Sequence, residues 1–315
     1  MVRLIQNEWI KIFKRPGTYV MIGLLILMAG TFAGFTKYDE SRQKETPDWQ
    51  QIIKAETAGY EKELQEDTGM SKDRKEYLQG QIKVNDYRLE HNVPIDTKTN
   101  MLSFIEGNSD LLSFAGLFMI IIAGGIVASE YTWGTVKLLL IRPISRTKIL
   151  FSKYLAVVLF GLFMISVLFL VSALIGAVLF GTSGESAHLA YEGGKVVEQS
   201  MFLYLLKVYV LKSVDVFMLA TMAFMISAVF RSSSLAIGMS LFLLFVGMNV
   251  TMIIAMKYEW AKYLLFANTN LMQFESGQPL VEGMTPGFSL AVLAVYYILF
   301  QLLAFTTFAK RDVAA

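Results

Sequence analysis

Apolar runs close to 20 residues long recur along this chain, and few architectures accept that pattern. A helix of about 20 apolar residues spans the hydrocarbon of a bilayer and closes its own backbone hydrogen bonds. Six such runs are present, approximately Gly17–Phe35, Leu111–Ala128, Ile149–Phe180, Val214–Phe230, Leu235–Met256 and Phe288–Phe308. Only 17% of the 315 residues are charged and 55% are hydrophobic, whereas soluble domains carry about 25% charged residues. A membrane β-barrel would show short alternating segments instead. The expected fold class is all-α, a polytopic membrane protein with six transmembrane helices.

Charge orients the spans. With the N-terminus inside, the inner segments hold twelve basic residues, Arg3, Lys11, Lys14, Arg15, Lys137, Arg142, Arg146, Lys148, Lys153, Arg231, Lys310 and Arg311, against the acids Glu8, Glu130 and Asp312. The positive-inside rule selects this topology, with both termini cytoplasmic at the plasma membrane. The first apolar run exceeds a signal-peptide core and no cleavage site follows, so it reads as a retained span.

Three regions follow. Residues 1–35 form an N-terminal interfacial helix and the first span; Leu4, Ile5, Trp9, Ile12 and Phe13 recur at helical spacing, expected to lie in lipid with Lys11, Lys14 and Arg15 at the headgroups. Residues 36–110 form an extracellular segment of net charge −5. Thr46 can cap a helix there, with Pro47 at its first position and Asp48 in its first turn. Gly69 can end that helix, Ser71 can start a second, and Asn92 with Pro94 can stop it. Trp49, Ile53, Tyr60 and Leu64 share one face, as do Leu78, Ile82 and Leu89. The segment reads as an antiparallel helical hairpin, coiled-coil-like and thinly striped enough to call for a second copy; the alternative is a mobile charged loop. Residues 111–315 form a five-span domain, with a cytoplasmic loop 129–153 and an extracellular segment 257–287 that is interfacial or re-entrant.

Composition excludes several chemistries. The net charge of +2 makes no case for nucleic acid, and with no cysteine there are no disulfides or thiolate ligands. His91 and His188 lie far apart and read as solvated side chains rather than a metal pair. No G-x-x-x-x-G-K-[ST] loop occurs, so any ATP that drives the protein binds another chain.

The loop 129–153 reads SEYTWGTVKLLLIRPISRTKILFSK. Gly134 permits a tight turn, Leu138, Leu139 and Leu140 give a short helix an apolar side, Pro143 ends it, and Ser145 can cap the next helix. The run of Glu130, Gly134-Thr135, Leu138-Leu139, Pro143, Ser145-Arg146, Ile149 and Lys153 resembles the membrane permeases of type-2 ATP-binding-cassette (ABC) exporters. So does the stretch Trp260-Ala261-Lys262-Tyr263-Leu264-Leu265-Phe266 with Asn268 and Asn270-Leu271.

That resemblance implies a permease subunit, not itself an enzyme, that exports an amphiphilic lipid, peptide or drug. It implies two ABC ATPase subunits carrying ATP and magnesium, and a second permease copy or homologous permease. Membrane lipids surround the spans, and this chain binds no cofactor. Coupling to the ATPase then falls to Glu130, Gly134, Thr135, Leu138, Pro143, Arg146, Trp9 and Lys11. A substrate path or gate falls to Lys212, Asp215, Asn249, Trp260 and Phe266; Lys207 and Lys212 can equally be snorkelling anchors, with Lys212 in ion-pair reach of Asp215. Two other classes stay open: a receptor or sensor using the hairpin, and an ion-coupled transporter using Lys212 and Asp215.

Overall fold

The computed structural model describes residues 1–42, 48–67, 69–96, 98–135, 144–182 and 187–310. Among them are twelve α-helices: α1 (Val2–Phe13), α2 (Pro16–Arg42), α3 (Trp49–Glu66), α4 (Lys72–His91), α5 (Met101–Asn108), α6 (Leu112–Ile126), α7 (Ala128–Thr132), α8 (Arg146–Leu179), α9 (Met201–Phe230), α10 (Ser233–Ala255), α11 (Leu265–Thr269) and α12 (Pro286–Lys310). Six helical segments are long and apolar enough to cross a membrane: α2, the α5–α7 run, α8, α9, α10 and α12. The chain is a multi-pass helical membrane protein.

The spans are longer than the apolar runs alone indicate. The second begins at Met101 rather than Leu111, because Asn100 caps α5 in a reciprocal box with Ser103. The fourth begins at Met201 rather than Val214. The α5–α7 run and α9 form the centre of the bundle, with 72% and 61% of their apolar windows buried against 17–28% for the other four. Asn108 donates to Ser172 of α8 within this core, 2.9 Å away. A break at Val127 separates α6 from α7, and the amide of Ala128 donates to the Ser227 hydroxyl of α9 at 3.0 Å. That bond satisfies a backbone group that a broken helix leaves open.

Helices α3 and α4 form the expected hairpin, with changed ends. Asp48 is itself the N-cap of α3, accepting from the Gln50 amide, and α3 stops at Glu66 before Gly69. Thr46 and Pro47 lie outside the described residues. Ser71 caps α4 through the Arg74 amide, and Asn92 ends it in the left-handed conformation.

A short β-hairpin accompanies the helices. Strands β1 (Ala187–Glu192) and β2 (Lys195–Ser200) pair antiparallel from Ala187↔Ser200 to Glu192↔Lys195. Gly193 and Gly194, with φ of 58° and 87°, supply the two left-handed residues that a tight hairpin turn needs. The α3–α4 stripe is covered within the chain: Ile53, Leu78 and Val84 are buried, and α4 lies on β1. Tyr191 of β1 packs so closely over Gly80 that an added Cβ would meet its ring at 3.0 Å.

Candidate functional site

Two places concentrate polar groups, one at each end of the bundle. At the first, α1, the start of α8 and α7 meet. Two residues, Lys14 and Arg15, separate the end of α1 from Pro16, which opens α2, and the Thr18 hydroxyl donates to the Ile12 carbonyl across the break. On the apolar side of α1, Ile12 is buried, and Trp9 and Phe13 pack against α8. Trp9 lies edge-on to Phe163 of α8 at 6.0 Å, and Phe13 to the same ring at 5.3 Å. This seats the polar side of α1 against Glu130 and Lys153.

Four charges interlock there. Lys153 Nζ donates to Glu8 Oε2 at 2.7 Å and to Glu130 Oε1 at 2.9 Å. Lys11 Nζ donates to Glu8 Oε1 at 3.0 Å and to Glu130 Oε1 at 2.9 Å. The Thr135 hydroxyl takes the remaining oxygen, Glu130 Oε2. Lys153 is 1% exposed and Glu8 5%. Desolvating charges is costly unless the remaining hydrogen-bonding positions are filled. Here all four carboxylate oxygens are filled and the charges sum to zero. Burial by itself lowers the Lys11 ammonium, but the Glu130 and Glu8 carboxylates outweigh it and raise Lys11 above its usual value. Its contribution is therefore complete below the ordinary lysine pKa and lost only as pH climbs through the raised one.

Two cation–aromatic contacts flank the cluster. The Arg15 guanidinium lies 5.5 Å from the Trp133 ring, and Arg231, at the left-handed end of α9, lies 4.5 Å from Tyr131.

The residues expected at this end divide as follows. Glu130, Thr135 and Lys11 come together, and Trp9 supports them from the side. Gly134 turns the chain with φ of 68°. Arg146 instead reaches the Ala309 carbonyl at the end of α12, 3.2 Å away. Leu138 and Pro143 lie outside the described residues. Ser145 precedes α8 but makes no side-chain cap bond. Glu8 was missed as a site residue, because the only local signal was its spacing of three residues from Lys11.

At the opposite end, a cavity of about 380 Å³ opens between α6, α9, α10 and α11. Lys212, Asp215 and Phe266 line it; Asn249 and Trp260 do not. Asn249 donates to its own helix at the Phe245 carbonyl, and Trp260 is exposed beside Tyr258. Lys212 does not pair with Asp215. It donates to Asp110 at 2.6 Å and to the Ser109 hydroxyl at 2.7 Å. Lys207 pairs with Glu275 at 2.7 Å. The segment after α10 is knitted by Asn268, which donates to the Lys262 and Leu264 carbonyls, and by Gln273, which bridges Ala267 and Leu280. His91 stacks on Tyr87, and His188 on Tyr204 at 3.8 Å.

The comparisons with known proteins give relatives. The family model described as "Protein of unknown function (DUF2705)" matches residues 75–314. The uncharacterized protein YhcI of Bacillus subtilis (strain 168) is 50% identical over 317 residues, covering 100% of both chains. The uncharacterized membrane protein YdbK of the same strain is 29% identical over 221 residues, 69% of this chain and 85% of that one. The chain belongs to the DUF2705 family.

Proposed function

We propose that this chain is the membrane permease of an ATP-driven exporter of the type-2 ABC class, which moves an amphiphilic substrate outward on energy from separate ATPase subunits. The observation that carries the reading is the buried ion cluster. Glu130 and Lys153 are the first and last members of the motif that resembles those permeases, and they are bonded to each other and to α1. The bonds among Glu130, Lys153, Glu8 and Lys11 tie α7 and the start of α8 to α1, so a push from a soluble ATPase that reaches either Glu130 or Lys153 is passed to α1, α7 and α8 together.

In this reading the basic end faces the cytoplasm with both termini, in the cell membrane. Helix α1 lies at the inner surface, and the α3–α4 hairpin lies outside. The exposed rings of Tyr258, Trp260 and Tyr263 suit an outer interface, where aromatic residues settle. A second permease copy completes the unit. The α2 face bearing Gly23, Gly30 and Gly34 has nothing within 4 Å of an added Cβ, which suits close helix approach.

The test is purification of the tagged chain from cells under mild detergent. A nucleotide-binding chain with a phosphate loop is expected to come with it, and Glu130→Lys is expected to cut ATP-driven transport at least about tenfold, since a misplaced like charge costs several kcal/mol. Absence of such a chain, together with full transport by Glu130→Lys, removes the reading.

A further inference from the structure

The cavity at the hairpin end has a chemistry of its own. Asp110, Lys212, Ser113, Thr269 and Asn270 line it on the polar side, and Leu244, Met248 and Phe266 are among its apolar lining. Asp215 also lines it, one helical turn along α9 from Lys212 and deeper in the bundle. The Lys212 ammonium is committed to Asp110 and Ser109. Asp215 has a side-chain hydrogen bond with Thr269, itself 4% exposed, and no ion pair among the described residues. One carboxylate with no cation partner among the described residues thus faces a cavity lined by both polar and apolar side chains, of a size inside the range of about 300–1,000 Å³ that suits small-molecule ligands. Phe266 is held in the wall by Gly247 of α10, where an added Cβ would meet the ring at 2.5 Å.

We propose that this cavity binds a small cationic amphiphile, with Asp215 taking its ammonium and the Leu244–Met248–Phe266 wall taking its apolar part. The formal charges of Asp110, Asp215 and Lys212 sum to −1, so an ammonium matches the site with Asp215 ionised whereas a carboxylate would double its excess. A neutral alcohol could fill the walls but would leave Asp215 without its counter-charge. The site lies within one chain and binding needs no ATPase. That the bound cation is also the exported cargo is a second step, which rests on the exporter reading.

The experiment is calorimetric titration of the purified full chain in zwitterionic nanodiscs with octylammonium, octan-1-ol and octanoate, using empty nanodiscs as the blank. Saturable one-to-one binding of octylammonium alone is expected, weakened about tenfold or more by Asp215→Asn, as for loss of a charged hydrogen bond. Met248→Trp, which fills the cavity and keeps the carboxylate, is expected to abolish it, and decides the matter if Asp215→Asn does not fold. Equal binding by wild type and Asp215→Asn, or equal binding of octan-1-ol, overturns the proposal. So does displacement of octylammonium by equimolar sodium, which marks an inorganic cation site. Failure to recover an ATPase with the chain leaves these titrations unchanged, so the two readings fail separately.

Discussion

Lys153–Glu8 at the α1 end and Lys207–Glu275 at the hairpin end are both ion pairs of 2.7 Å. Distance does not tell them apart, but burial does. The Lys153 and Glu8 side chains are 2% and 6% exposed, those of Lys207 and Glu275 43% and 34%. An exposed pair exchanges one good environment, water, for another and gains little. A buried charge has no such alternative, so each member of the cluster depends on the others. The α1 end is therefore a closed electrostatic unit, while the hairpin end is stitched by separable contacts and gives Asp215 no cation partner among the described residues.

The largest test of that contrast is Lys153→Met. It leaves two buried carboxylates facing Lys11 alone and should cost about 3–5 kcal/mol, read as a fall in the thermal unfolding midpoint in detergent. Adding Glu8→Gln restores neutrality and should recover much of the loss; a single variant as stable as wild type would break the comparison. Lys207→Met should be far milder, at most about 1 kcal/mol by the same measurement. A larger loss would mean that the hairpin end is as closed as the other.

The smallest effect concerns His188, half-buried on Tyr204. Burial first, and then the Arg88 and Lys207 charges, lower its pKa below the usual 6.5, partly opposed by Glu275. A depressed pKa contributes stability that is present above the ordinary value and lost as pH falls through the folded one. The unfolding midpoint of the wild type should thus drop more between pH 7.5 and pH 5.5, taken as roughly one unit either side of that value, than the midpoint of His188→Phe. Equal drops would clear this histidine of any part in holding the hairpin end.

Local signals were legible where one stretch of chain decides the outcome. Ser71 and Asn92 bound α4 as their side chains and backbone preferences predict. The β-hairpin was also signalled, by Gly193-Gly194 between two short segments, but apolar periodicity alone passes over strands this short. The starts of α5 and α9 were hidden because polar residues such as Glu106, Lys207 and Lys212 interrupt the hydropathy, and each finds a partner only in the folded chain.

Six membrane-length apolar segments and the concentration of positive charge in the short segments at one end are properties of the sequence itself. Hydropathy and charge add up residue by residue along a helix, so no distant contact is needed to establish them. Which charges meet is a different matter. Glu8 and Lys153 lie 145 positions apart, and Lys11 and Glu130 lie 119 apart. The motif picks out Glu130 and Lys153, and Glu8 stands three residues from Lys11, but nothing local says that these four meet. Only the packing of α1 on Phe160 and Phe163 of α8 brings these four groups together and takes Glu8, Glu130 and Lys153 out of water, with Lys11 at the edge. The same packing places Lys212 on Asp110, across the helix interface, rather than on Asp215 three residues along α9.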